Sequence, residues 1–277
     1  MCAQSQLGEC IYSLLGGEGH ILMALEAHFD GSKDPGSWED SRFVTLAGFA
    51  ADDEWLGRFE EGWKAVLEDD SRRPKAQYLH MRELNSLEKE FSWRNGWNRT
   101  KTSYLLVDLL KYLSSLDKGK FRMFAATLDM DAYRRVTADG IELRSPIRIC
   151  NDFCCNVALA WYFRDYPGLI HSAHFFFDPK EPFEQIFREK CLAEKSNELD
   201  AIGLREEWGL IKTITSVLNA KEEWAMQCAD LLAWAHNRRM TAEEGGPWKY
   251  IHHWVKAVAP TSWRFVDEAA LRNYPMP

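Results

Sequence analysis

The chain has 277 residues, 46% hydrophobic and 27% charged, a balance that suits a globular protein with a sizeable core and allows one large domain or two small ones. Its net charge of −8 and pI near 5.6 exclude a protein that coats nucleic acid with a broad basic face, while leaving room for a local basic groove. Apolar stretches such as Val157–Phe163 fall far short of the roughly 20 residues a membrane helix needs, and residues 1–20 lack a secretory signal, so no membrane association and a cytoplasmic location are expected.

Residues 1–20 contain Gly16, Gly17 and Gly19 and read as a tail. A first strand is predicted over Leu22–Phe29, with Leu25, Ala27 and Phe29 alternating on one face, stopping at Asp30-Gly31-Ser32. After the turn-rich Lys33–Ser37, Phe43–Ala50 reads as a second strand and hairpin partner. Asp52–Glu68 has helical spacing behind an acidic start. Ser71–Asn98 is less regular, with a short apolar segment at Gln77–Leu84, and Thr102–Leu116 is an amphipathic helix. Phe121–Leu128 reads as a strand, Ile147–Phe163 as a helix and Ala173–Phe177 as a buried strand halted by Asp178-Pro179. Pro182–Lys195 is predicted helical and Leu210–Leu218 is the last strand.

A helix follows over Ala225–Ala235, with Asn219 and Glu222 as its N-cap and N3 pair and Arg238 and Arg239 at its C-terminal end. The order, an early antiparallel hairpin and then strands alternating with helices, indicates a mixed α/β sheet flanked by helices. Residues 21–240 are expected to form that domain, and residues 241–277 an extension packed on it.

The Ala225–Ala235 helix is apolar on nearly every side, with only Gln227 and Asp230 polar. A carboxylate there needs a cationic or hydrogen-bonding counterpart, and a metal ion is one such counterpart. Asp30 and Asp178 end strands, and in α/β sheets functional groups collect where strands end. Neighbouring strands with the helix beside them bring Asp30, Asp178 and Asp230 together. Oxygen ligands favour Mg²⁺ or Mn²⁺, and such ions support phosphodiester cleavage. His80 and Glu83, three apart, share a face if their segment is helical. His80 then reads as a proton shuttle or phosphate ligand, or both residues as ordinary packed groups.

Asp30-Gly31-Ser32, Leu79-His80-x-x-Glu83, Phe175–Asp178 and Gln227-x-Ala229-Asp230-Leu231-Leu232 together resemble the family called domain of unknown function 3800, over roughly Leu22–Met240. The resemblance implies a ribonuclease H-like fold acting on nucleic acids. It also implies Asp30, Asp178 and Asp230 as catalytic metal ligands, with Glu83 and His80 as further participants. The chain departs from that pattern at Gly31, where the family usually has Glu.

Three other features point elsewhere. Arg94, Trp97, Arg99 and Lys101, beside Trp93, mix cations with aromatics as a nucleic-acid grip does, or form a solvated loop with anchoring tryptophans; Arg72, Arg73 and Lys75 repeat the ambiguity. Asp129-x-Asp131 after a strand is how haloacid dehalogenase-like phosphatases present a nucleophile, though strand-ending caps have the same appearance. Cys150, Cys154 and Cys155 cluster without a CxxC pair, the pattern of core packing more than of zinc. The leading expectation is a Mg²⁺- or Mn²⁺-dependent nuclease. A non-catalytic nucleic-acid or protein-binding module on the same fold is the second, and the phosphatase the third.

Overall fold

The computed structural model describes residues 23–33, 37–165, 170–179, 182–194, 211–217, 219, 221, 223–241 and 262–274. The predicted tail, most of the Lys33–Ser37 loop, Glu222 and the Trp248–Trp254 stretch lie outside these residues.

Six strands form one sheet: β1 (Met23–Lys33), β2 (Phe43–Asp52), β3 (Phe121–Asp129), β4 (Ile170–Phe177), β5 (Ile211–Ser216) and β6 (Ser262–Val266), in the order β5-β4-β1-β2-β3-β6. The first three form an antiparallel meander, while β4 lies parallel to β1, β5 parallel to β4 and β6 parallel to β3. The helices are α1 (Asp53–Glu68), α2 (Met81–Ser86), α3 (Arg99–Ser115), α4 (Met130–Ala138), α5 (Pro146–Asp165), α6 (Phe183–Glu194), α7 (Trp224–Thr241) and α8 (Glu268–Arg272). This is the mixed α/β sheet that the alternating pattern indicates.

Strand alternation divides the core. Leu25, Ala27 and Phe29 of β1 and Val44 and Leu46 of β2 face a layer built on Ile149, Cys150, Cys154 and Phe187 of α5 and α6. Ala47 and Phe49 of β2, on the other face, pack with Phe59 and Trp63 of α1, Leu106 and Leu110 of α3, and Leu231 and Ala235 of α7. With helices on both faces, β2 is buried along its whole length, which is why Phe43–Asp52 is almost continuously apolar. Burying one large aliphatic or aromatic side chain is worth about 1.5–3 kcal/mol, so the two layers supply the main driving force for the fold.

Several boundaries differ from the sequence reading, and Ser262–Val266, beyond the strand read as the last, joins the sheet as β6 beside β3. β1 does not stop at Asp30: Asp30, Gly31, Ser32 and Lys33 pair with Ala47, Leu46, Thr45 and Val44, because the hairpin partner is long enough to overrule the local turn signal. The helix carrying Asp230 begins at Trp224, and the Gln227 N–H closes the first turn on the Glu223 carbonyl at 3.1 Å. Asn219 therefore lies five residues ahead of that helix and does not cap it. The Lys221 carbonyl is already taken by Gln227 Nε2 at 2.7 Å, which holds the chain out of helix just before the start. Finally, Gln77–Leu84 is split between an extended run and the short α2.

Cys150, Cys154 and Cys155 are free and buried, and burial raises each thiol well above its ordinary value. Cys150 and Cys154 Sγ face the backbone carbonyls of Val44 and Leu46. They are core residues of α5. Among the described residues no helix is long and apolar enough to cross a membrane.

Candidate functional site

Asp30 stands on β1 opposite Ala47 of β2, with β4 on its other side. The parallel register of β1 and β4 ends at Phe29–Phe177; Asp30 continues β1, and Asp178 is the first residue after β4. Phe29 and Phe177 both point into the α5–α6 layer, and alternation along β1 sends Asp30, opposite Ala47, to the α7-bearing face. Asp30 and Asp178 are partly exposed and engaged in further interactions. The same alternation places His28 two residues behind Asp30 on that face, buried and stacked between Phe176 and Phe49 at 4.7 and 5.5 Å. Its Nε2 lies 3.3 Å from Glu26 Oε2. The period-2 pattern of β1 could have singled out Glu26-x-His28-x-Asp30 as one polar stripe, and the sequence reading passed over it.

Asp230 sits on α7, which lies across β1 and β2. Its Oδ2 accepts the Met81 N–H at 2.8 Å and lies 3.3 Å from His80 Nδ1. Met81 is the first residue of α2, and His80 at the N-cap makes no side-chain cap bond of its own. Asp230 supplies that cap from another part of the chain, satisfying an orphan N–H and meeting the positive end of the helix. One turn earlier on α7, Gln227 Oε1 accepts the Leu79 N–H at 2.8 Å and faces Trp63 Nε1 at 3.3 Å. The two polar residues of the apolar helix thus hold the backbone of Leu79–Met81 in place.

Glu83 completes the clamp. It is buried and accepts hydrogen bonds from Tyr78 Oη at 2.7 Å, Lys89 Nζ at 3.0 Å and Lys221 Nζ at 2.5 Å. Burial alone would raise its pKa, but the bonds from Lys221, Tyr78 and Lys89 reverse this and hold it down at about 2. Burial and the Glu83 bond push Tyr78 up to about 12. Glu83 is a permanently charged carboxylate with three donors, which suits a structural pin and not a proton carrier.

Among the described residues no group of three or more His, Cys, Asp or Glu side chains is placed to hold a metal ion. Asp30 Oδ1 accepts the Gly31 N–H at 2.7 Å, and Asp230 Oδ2 accepts the Met81 N–H at the start of α2. A magnesium ion is commonly held by one or two carboxylates, with waters and substrate phosphates completing its shell. An all-protein cage is not present among the described residues.

Position 31 explains the departure at Gly31. A Cβ there would lie 2.5 Å from Phe183 and 3.0 Å from Trp38, whose rings meet edge-on at 5.3 Å. Residue 31 points into the α6 side of the core, away from the face of Asp30. A Glu at this position would therefore need Phe183 and Trp38 to move.

The remaining candidates fall into place by burial. Trp97 is only 2% exposed and packs edge-on against Phe91 at 5.1 Å, so it is a core anchor and is closed to a nucleobase. Arg99 donates to the Asn85 carbonyl, Lys101 Nζ donates to the Gly96 carbonyl at 2.7 Å, and Arg94 lies over the Trp93 ring. Arg73 is buried against the carbonyls of Val66, Leu67 and Pro74. Lys75 lies 3.5 Å from Asp70. Asp129 caps α4 by accepting from Asp131 N and Ala132 N, and Asp131 pairs with Arg134 at 2.7 Å. Both acids of the phosphatase-like motif are thereby occupied in starting a helix.

No family model matches the chain, and no curated protein matches it either. The resemblance to domain of unknown function 3800 therefore gains no support from these comparisons. Among solved structures, the chain is similar to one in the structure of the PCNA:RNase HII complex from Archaeoglobus fulgidus. The identity is 12% and the TM-score 0.33, over 86% of this chain and 92% of that one. A likeness at that level says nothing about activity. What stands independently of it is the six-stranded mixed α/β sheet with helices on both faces.

Proposed function

We propose that the chain is a divalent-metal-dependent phosphodiesterase acting on nucleic acid in the cytoplasm, with Asp30 and Asp178 as the anchoring carboxylates. The observation that supports this reading is that β1, which carries Asp30, and β4, which Asp178 directly follows, are parallel neighbours in register up to Phe29 and Phe177. Two carboxylates brought close together repel unless a cation or proton lies between them. Mg²⁺ or Mn²⁺ bound there would supply Lewis-acid polarisation of a phosphoryl oxygen and an activated water. Asp230 and His80, on the clamp beside α7, would position the Leu79–Met81 segment at the rim.

Manganese titration followed by thermal denaturation tests the reading. Mn²⁺ is expected to raise the melting temperature of the wild type and to leave Asp178→Asn unchanged, with cleavage of an oligonucleotide panel lost in the same variant. A wild type that leaves both DNA and RNA intact with either metal overturns it.

One observation favours the second reading, a non-catalytic binding module. Asp230 Oδ2, the Glu83 carboxylate and Asp30 Oδ1 each accept from protein donors. Oligonucleotide binding that is indifferent to metal, without cleavage, supports the module.

A further inference from the structure

Two large hydrophobic side chains stand out as exposed among the described residues, Trp93 at 73% and Tyr104 at 39%. Each has an arginine over its ring: Arg94 lies 5.6 Å from the Trp93 centroid and Arg72 5.0 Å from that of Tyr104. We propose that this pair of aromatic–arginine units is a stacking platform for single-stranded nucleic acid. The proposal takes its class of ligand from the reading above and adds to it that the bound strand has unpaired bases.

The two units belong to one surface. Lys101 Nζ bonds the Gly96 carbonyl at 2.7 Å, tying the first turn of α3 to the 3-10 turn that carries Trp93. Tyr104 lies three residues beyond Lys101 on α3, one turn along the same side. Arg72 reaches this side of α3 from the loop after α1, donating to Asp108 Oδ1 at 2.5 Å while covering Tyr104. Lys101 thus stands between the turn that carries Trp93 and Arg94 and the side of α3 that carries Tyr104 and Arg72. The surface is cationic as well. The charge of Arg72 is shared with Asp108, but Arg94, Arg99 and Lys101 have no carboxylate partner among the described residues, on a chain whose net charge is −8.

That combination has a specific physical use. Bases stack on exposed aromatic rings with little regard to sequence, while unpaired arginines and lysines track the phosphates. A guanidinium over one face of a ring adds cation–π attraction and leaves the other face to a base. A protein partner would be met by an apolar patch with a polar rim, whereas here each exposed aromatic is covered on one face by an arginine. A duplex hides the base faces, so it offers this surface only its phosphates.

The test is fluorescence anisotropy with labelled oligothymidylate, oligouridylate and a matching duplex, in the presence of a chelator so that neither metal nor cleavage contributes. Trp93→Ala and Tyr104→Ala are each expected to weaken single-strand binding roughly tenfold. Trp93→Phe should retain most of the affinity, and melting temperatures should be unchanged because both side chains are exposed. Arg94→Gln should lower the slope of log affinity against log salt by about 0.7, the contribution of one phosphate contact on a single strand. The two oligonucleotides distinguish RNA from DNA as the preferred source. The proposal is overturned if the wild type binds neither oligonucleotide, if it binds the duplex as tightly, or if the Trp93→Ala/Tyr104→Ala double variant binds as the wild type does. Loss of cleavage in Asp178→Asn with binding retained would leave the platform standing, and loss of the platform with cleavage retained would leave the metal site standing.

Discussion

Asp230 Oδ2 accepts the backbone N–H of Met81 at 2.8 Å, joining residues 149 positions apart and capping α2 from a helix that is not its neighbour in sequence. An N-cap carboxylate or amide replaced by alanine costs about 1 kcal/mol. Asp230→Ala is therefore expected to lower stability by about that much in urea denaturation, and Asp230→Asn by less than half as much, since an amide oxygen still accepts the Met81 N–H. If Asp230 also contributes to metal binding, the Asn variant will lose part of the Mn²⁺-induced stabilisation that alanine-scale destabilisation would otherwise obscure. Equal stability of the wild type and the Ala variant would show that the cap contributes nothing.

Glu83 gives a pH dependence with a definite sign. Its carboxyl is held at about 2, below the ordinary glutamate value of 4.5, by Lys221, Tyr78 and Lys89 despite burial. A lowered carboxyl pKa adds stability that is present above the unfolded value and is lost as pH falls from about 4.5 towards 2. The loss is on the order of 2 kcal/mol. Urea midpoints measured down this range should fall more steeply for the wild type than for Glu83→Gln, and parallel curves would remove Glu83 from the account.

His236 acts at higher pH. Burial first, and then Arg239, depress it to about 3, and its ring stacks on Trp263 at 6.0 Å. The unfolded chain takes up a proton near pH 6.5 that the folded chain refuses, so stability falls as pH drops below 6.5. The slope is about 1.4 kcal/mol per pH unit for this one group. His236→Phe keeps the stacking and should flatten the melting temperature between neutral pH and pH 5, a difference readable by calorimetry.

Gly31 is held by its surroundings. Gly31→Ala places a methyl carbon 2.5 Å from Phe183 and is expected to cost about 1–3 kcal/mol, the range for overpacking a core. Adding Phe183→Leu should recover part of that loss. An additive double variant would show that Phe183 is not what excludes a side chain at position 31.

The two tryptophans of one loop should separate cleanly. Trp97→Ala opens a cavity beside Phe91 and is expected to cost about 3–5 kcal/mol, whereas Trp93→Ala should stay within about 0.5 kcal/mol of the wild type. Chemical denaturation of both variants measures the contrast.

The division between what was and was not readable in the sequence follows the range of the interactions. Phe43–Ala50, Phe121–Leu128 and Asp52–Glu68 were legible because periodicity is local and their burial follows it. Asp129 was legible as a cap for the same reason. The end of β1 was misread because Asp30-Gly31-Ser32 carries turn chemistry, while the ladder to Val44–Ala47 that overrides it is set by the partner strand. Asn219 looked like a cap because the bond that keeps Lys221 out of helix comes from Gln227, within a turn of irregular chain. At the candidate site, Asp178 does follow the end of β4, whereas Asp30 lies within β1, whose ladder runs on to Lys33. The counterpart of Asp230 was invisible, since nothing near residue 230 specifies the amide of Met81. Trp93 and Trp97 are chemically alike in sequence, and only the packing of Phe91 distinguishes the anchor from the exposed ring.

The clamp made by Gln227, Asp230 and Lys221 on Leu79, Met81 and Glu83 has a consequence for synthesis on the ribosome. The first three strands and α1 can pair as they emerge, but the amides of Leu79 and Met81 wait for acceptors made more than 140 residues later. Until α7 arrives, one face of the nascent sheet and the stretch ahead of α2 stay open to chaperones and proteases. Any truncation before Trp224 leaves them open permanently.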